Sequence, residues 1–92
     1  MRGEFKLVPS EEGVWKYVRV AGQYRFVPSD FHSSHCDCVL DGETAESAGT
    51  ININDRGWAI YGRYSMTLKV CTDDADTEGL TKLLDKPMYE RY

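Results

Sequence analysis

No stretch of this 92-residue chain approaches the roughly eighteen consecutive apolar residues that a membrane-spanning helix needs. The opening segment MRGEFKLVP has no hydrophobic signal-peptide core either, so a cytoplasmic location without a membrane partner is expected. Cysteine is scarce. Three is an odd number, which argues against a framework of paired disulfides and makes free thiols the expectation. Lysine and arginine are missing altogether from residues 26–55, where Asp30, Asp37, Asp41, Glu43, Glu46 and Asp55 accumulate. With a net charge of −4 the chain offers no continuous positive face to displace the counterions of a nucleic acid, which is not expected as a partner.

What is present is the composition of a packed domain. Hydrophobic residues make up 41% and aromatics 12%, enough for an interior and too much for a disordered chain. At this length one domain, spanning 1–92, is expected, with 86–92 as a short C-terminal tail.

Strand periodicity dominates. In GVWKYVRV (13–20), Val14, Val18 and Val20 point one way and Trp15, Tyr17 and Arg19 the other. Ala21-Gly22 and the β-forming GQYRFVP then predict a hairpin across 14–27. HCDCVL (35–40) reads as a short strand closed by the turn pair Asp41-Gly42, and ETAESAG (43–49) as a loop or one helical turn. TININ (50–54) alternates, NDRG (54–57) has hairpin-loop composition, and WAIYGRY (58–64) and SMTLKVC (65–71) follow as strands. Gly62 inside a strand pattern predicts a bulge.

Near the end the period changes. Leu80, Leu83 and Leu84 recur at helical spacing behind Asp73, Asp74, Asp76 and Glu78, with Asp76 or Thr77 as the expected N-cap and Pro87 as the stop. The predicted fold is α+β: a small, curved, mainly antiparallel sheet of about six strands with one C-terminal helix. Short connections leave no room for crossovers between most strands. Apolar residues on both strand faces predict either a barrel-like curl or a second face packed on another copy of the chain.

The chemistry concentrates in FHSSHCDC (31–38), which holds both histidines and two of the three cysteines. Three readings compete there. The residue types of His32, His35, Cys36 and Cys38 suit zinc, although on an extended strand Cys36 and Cys38 share a face while His35 points away. Alternatively His32, two residues after Asp30, is placed to act as a general base, and the backbone amides of Ser33 and Ser34 to hold an anion. A cysteine nucleophile fits less well, because the surrounding acids raise thiol pKa values. The third reading is packing alone, with Cys36 and Cys38 buried on a strand.

Several of these segments together resemble the Janus-type phosphohistidine phosphatase family. GVWKYVRV is similar to that family's early strand, and Asp30-Phe31-His32 to the acidic-aromatic-histidine step that carries its base. Gly49-Thr50-Ile51, Ile60-Tyr61-Gly62 with Ser65, and Thr77 with Leu80 resemble its later strands and closing helix. The resemblance implies a hydrolase in which His32 activates water while Lys16 and the amides after His32 hold the phosphoryl group. Two features differ: the family has a helix between its histidine and the next strand, and Tyr61–Ser65 carries one residue more.

From the residues, the expected function is a small binding or accessory protein that self-associates as a homodimer. A phosphohistidine phosphatase-like hydrolase acting on a small anionic or phosphorylated ligand is the alternative, and zinc binding through the 32–38 cluster a second one.

Overall fold

The computed structural model describes residues 5–9, 11–29 and 33–91. In chain order the elements are β1 (Gly13–Val20), β2 (Gln23–Pro28), a 3₁₀ turn (His35–Cys38), β3 (Ser47–Asn54), β4 (Gly57–Gly62), β5 (Tyr64–Ser65), β6 (Val70–Cys71), α1 (Ala75–Leu84) and β7 (Met88–Arg91). Five strands form the main sheet in the order β2-β1-β3-β4-β7, and β5 and β6 form a separate pair. The α+β class and the C-terminal helix are as the periodicity predicts.

Local chemistry explains the hairpins. Ala21 and Gly22 both have positive φ, the turn geometry whose twist matches that of two flanking strands. Between β3 and β4 the ladder skips Tyr61: Ile51 pairs with Ile60 and Thr50 with Gly62. This is the bulge foreseen at Gly62, and it throws Tyr61 outward to 65% exposure.

Four expectations are corrected. Residues 35–38 form a 3₁₀ turn rather than a strand. The stretch 65–71 is broken by a turn at 66–69, where Lys69 takes a left-handed φ of 57° and its amide donates to the Ser65 carbonyl at 2.7 Å. The helix begins at Ala75 with Asp74 in the N-cap position, two to three residues before the expected caps. Finally, most of the segment read as a tail is β7, paired parallel to β4. Its docking depends on Gly57, at φ 147°, where a Cβ would collide with the Pro87 carbonyl oxygen. That same oxygen accepts the Trp58 amide at 3.0 Å.

Both faces of the sheet are used. Under α1 lie Trp15, Tyr17, Phe26, Ile51, Ile53, Trp58 and Ile60, packed with Leu80 of the helix. The aromatic residues that offered a surface for self-association are therefore core, each fully buried one contributing roughly 1.5–3 kcal/mol by leaving water. On the opposite face Val18, Val20, Val27 and Ala48 are covered by Cys38 and Val39 of the 3₁₀ segment, with Phe5, Leu68 and Val70 at the margin.

A buried acid ties the helix to the sheet. Asp76 has no exposed surface. Its Oδ1 accepts from Arg19 Nη1 at 2.8 Å and from the Tyr24 hydroxyl at 2.9 Å, and its Oδ2 from the Tyr17 hydroxyl at 2.7 Å and the Asp73 amide at 3.1 Å. Burial pushes the Tyr24 pKa up to about 12 and raises that of Tyr17 as well, keeping both phenols protonated and able to donate. Gly79 makes room for Tyr24, since a Cβ there would strike the Tyr24 hydroxyl.

Replacing Asp76 with alanine strands these donors, so D76A is expected to lower unfolding stability by roughly 3 kcal/mol in urea titrations. The exposed Arg19–Glu46 pair, at 3.2 Å, should matter far less, with E46A costing under about 1 kcal/mol.

Candidate functional site

The 3₁₀ turn reorganises the His/Cys cluster. At three residues per turn, positions i and i+3 lie on one side, whereas on a strand positions i and i+2 do. His35 and Cys38 therefore point inward together, 7% and 0% exposed, while Cys36 is half-buried. Cys38 packs in the second core cluster with its thiol 3.7 Å from the Arg25 carbonyl, and burial pushes its pKa up to about 12. Cys71 is exposed on β6. Among the described residues no group of three or more His, Cys, Asp or Glu side chains is gathered as metal ligands would be. His32, the first candidate base and ligand, lies outside the described residues together with Asp30 and Phe31.

Lys16 is brought to this segment. It sits on the β1 face opposite α1, pairing with Val27 on one side and Thr50 on the other. Its ammonium donates to the Ser33 carbonyl at 2.7 Å. An ammonium has three donors, so this bond does not saturate it. The next amide is differently engaged: Ser34 N donates to Asp37 Oδ2 at 3.0 Å, and Asp37 N donates back to the Ser34 carbonyl at 3.0 Å. The bond from Ser34, helped by nearby Lys16, holds the Asp37 carboxyl below its ordinary pKa. The expected pair of anion-holding amides is thus reduced at Ser34, where a carboxylate already occupies the donor.

His35 anchors the other side of the loop. Its Nε2 lies 2.8 Å from the Gly49 carbonyl, which can only accept, so Nε2 carries the proton. Gly49 stands just beyond Thr50, the last β3 residue paired with β4. Its lack of a side chain is required, because a Cβ would meet Thr72 Oγ1, the Gly62 carbonyl and the Tyr17 ring. Burial, with a smaller contribution from the Lys16 charge, lowers the His35 pKa despite the opposing bond to Gly49.

Past Lys16 the sheet face is polar along β3. Thr50, Asn52 and Asn54 are half-buried on β3, and the two asparagine amides donate to the Tyr89 hydroxyl at 3.4 and 2.9 Å. Two clefts open elsewhere on the described surface. One of about 210 Å³ lies between Val8, Pro9, Ile53 and Leu84, and one of about 240 Å³ between Cys36, Leu40, Glu43 and Leu68. Lys16 lines neither.

Sequence reasoning missed two groups. The Asp76 network joins residues 52 to 59 positions apart, for which no local pattern exists. The bidentate Arg25–Glu43 pair, at 2.6 and 3.0 Å, fixes the loop that follows the 3₁₀ turn. Arg25 Nη1 also donates to the Cys38 carbonyl at 2.9 Å. The β-forming composition of GQYRFVP carries no sign of a partner for Arg25.

Because His35 is harder to protonate folded than unfolded, the unfolded chain binds more protons as pH falls below the ordinary value of 6.5. Its contribution is therefore a loss of stability on acidification, with a limiting slope of at most ~1.4 kcal/mol per pH unit for one proton. Urea unfolding of wild type and H35Q between neutral and mildly acidic pH should show a steeper decline for wild type; parallel curves would refute this. The chain matches no protein-family model, no curated protein and no solved structure.

Proposed function

We propose that the chain is a small phosphoryl-group hydrolase of the phosphohistidine phosphatase kind, with Lys16 binding the phosphoryl oxygens and His32 as general base. The single observation that carries this reading is the 2.7 Å bond from Lys16 to the carbonyl of Ser33, the residue covalently next to His32. It ties a strand cation of that face to the histidine-bearing loop, two groups that the resemblance pairs and that lie 17 residues apart in sequence.

The surroundings support it further. Thr50, paired with Lys16 in the β1–β3 ladder, adds a half-buried hydroxyl beside it. In the proposed reaction His32 takes a proton from water as the oxygen attacks phosphorus. A P–O bond forms, the P–N bond breaks, and the departing imidazole nitrogen gains a proton, giving inorganic phosphate and histidine. Since Ser34 N is engaged by Asp37, the anion in this scheme relies chiefly on Lys16. Zinc has no part in it.

A second reading, non-catalytic binding with self-association, is favoured by one feature. Tyr61, Tyr64 and Met66 stand 65%, 50% and 82% exposed within six consecutive residues. Light scattering separates the outcomes, a mass near 10.5 kDa for a monomer and twice that for a homodimer.

Turnover of a phosphohistidine peptide tests the primary reading. Wild type should release phosphate well above buffer, H32A should be slower by about a hundredfold or more, and K16M by about tenfold or more. Circular dichroism confirms that each variant is folded. Rates equal among the three proteins would remove His32 and Lys16 from any catalytic role.

A further inference from the structure

We propose that the cleft beside the 3₁₀ turn is one half of a two-fold interface, in which a second copy of this chain sets its 61–69 segment against the 39–43 loop. The proposal rests on the self-association reading above and gives that reading a surface.

The cleft, of about 240 Å³, has two banks. One is the loop after the 3₁₀ turn, with Leu40, Asp41 and Glu43; the other is the turn at 66–69, which lines the cleft with Leu68. Each bank is held in shape by bonds of its own. Glu43 is clamped by Arg25 and accepts the Leu40 amide at 2.8 Å. On the other side the Lys69 amide donates to the Ser65 carbonyl at 2.7 Å, and the Leu68 amide to Ser65 Oγ at 3.2 Å. A surface already ordered in this way gives up little freedom on association.

Both banks leave apolar surface in water. Leu40 is 43% exposed on the first, while Met66 and Tyr64 are 82% and 50% exposed on or beside the second. Charge then decides which partner fits. Residues 36–46 carry Asp37, Asp41, Glu43 and Glu46 and no lysine or arginine, whereas 56–71 carry Arg56, Arg63 and Lys69 and no acid. Arg63 stands 3.8 Å from Asp74, so Lys69, exposed in the turn, is the principal cation of its bank.

Two segments of opposite sign on either side of one cleft make the surface complementary to itself. A contact of 61–69 with its own copy would oppose Arg63 and Lys69 to the same cations. Loop against loop would oppose Asp41 and Glu43 to the same acids. The crossed arrangement, loop to turn and turn to loop, pairs unlike charges at both ends, and a two-fold axis through the cleft produces it. A stable interface covers roughly 800 Å² on each partner, more than a cleft of this size supplies, so both flanks take part. Such a contact closes as a dimer and does not propagate into a filament.

Light scattering over a range of concentrations reads the dimer, 10.5 kDa against twice that mass, and circular dichroism confirms that each variant is folded. The variants are M66D, D41K and K69E, all at exposed positions. M66D is expected to raise the dimer dissociation constant by about tenfold or more. D41K and K69E should each raise it by about fivefold or more, because each sets like charges together at both ends of the interface. An equimolar mixture of D41K and K69E should return to within about threefold of wild type, since every crossed pair in the mixed dimer is then unlike in sign. Mixing cannot restore a pairing made within one chain. A mixture no tighter than either variant alone overturns the proposal, as does a dimer that M66D leaves unchanged; both results leave self-association through another face standing. A wild type that stays monomeric at every concentration overturns the self-association reading and this interface together.

Discussion

A carboxyl group removed from water must receive its hydrogen bonds from the protein, and Asp76 receives four: three from side chains of the β1–β2 hairpin and one from the backbone ahead of α1. This fixes more than one carboxyl. Tyr17 and Arg19 alternate with Trp15 on the same face of β1, so holding their ends at the helix places α1 squarely over the aromatic core. The helix in turn carries the chain from the last turns of β5 and β6 back to the sheet edge, where β7 pairs with β4. A ten-residue helix with only Asp76 and Leu80 fully buried would be poorly held by apolar contact alone. The polar cluster supplies the orientation that one leucine cannot.

With one face of the sheet closed by α1, the other carries Lys16 and the polar residues of β3. That face is divided. Over β1 and β2, Val18, Val20 and Val27 are roofed by the 3₁₀ segment, which Arg25 fastens through Glu43 and the Cys38 carbonyl. Along β3 the surface stays polar, from Thr50 through Asn52 and Asn54, whose amides reach Tyr89 of β7. Lys16 stands at the boundary, reaching the loop from the strand. Its bond to the Ser33 carbonyl gives the ammonium a fixed direction.

The cysteines illustrate how period decides role. On a strand Cys36 and Cys38 form a pair with a common outlook; on a 3₁₀ turn they separate and His35 becomes the partner of Cys38. Four residues are too few for an alternation to be told from a threefold period. The run FHSSHCDC is therefore conspicuous in composition and silent about geometry. The same shortness hid β7, in which Met88 turns to the core and Tyr89 to the polar face across four residues.

For several elements the sequence by itself was sufficient, although the seven-residue run 65–71 is broken by a turn. It determined the faces of β1, the hairpin turn at Ala21-Gly22, the alternation of β3, the bulge at Gly62 and the existence of the terminal helix. Each follows from local sterics or from a hydrophobic repeat long enough to be unambiguous. It also marked Lys16 and the loop after β2 as residues worth attention. Only the tertiary structure decided that Asp76 is buried rather than a helix cap, that His35 serves the Gly49 carbonyl, and that Lys16 meets Ser33. These are contacts between segments 14 to 59 residues apart. Their energies depend on desolvation and on the direction of a donor at its acceptor, quantities that exist only once the sheet has brought its strands into register.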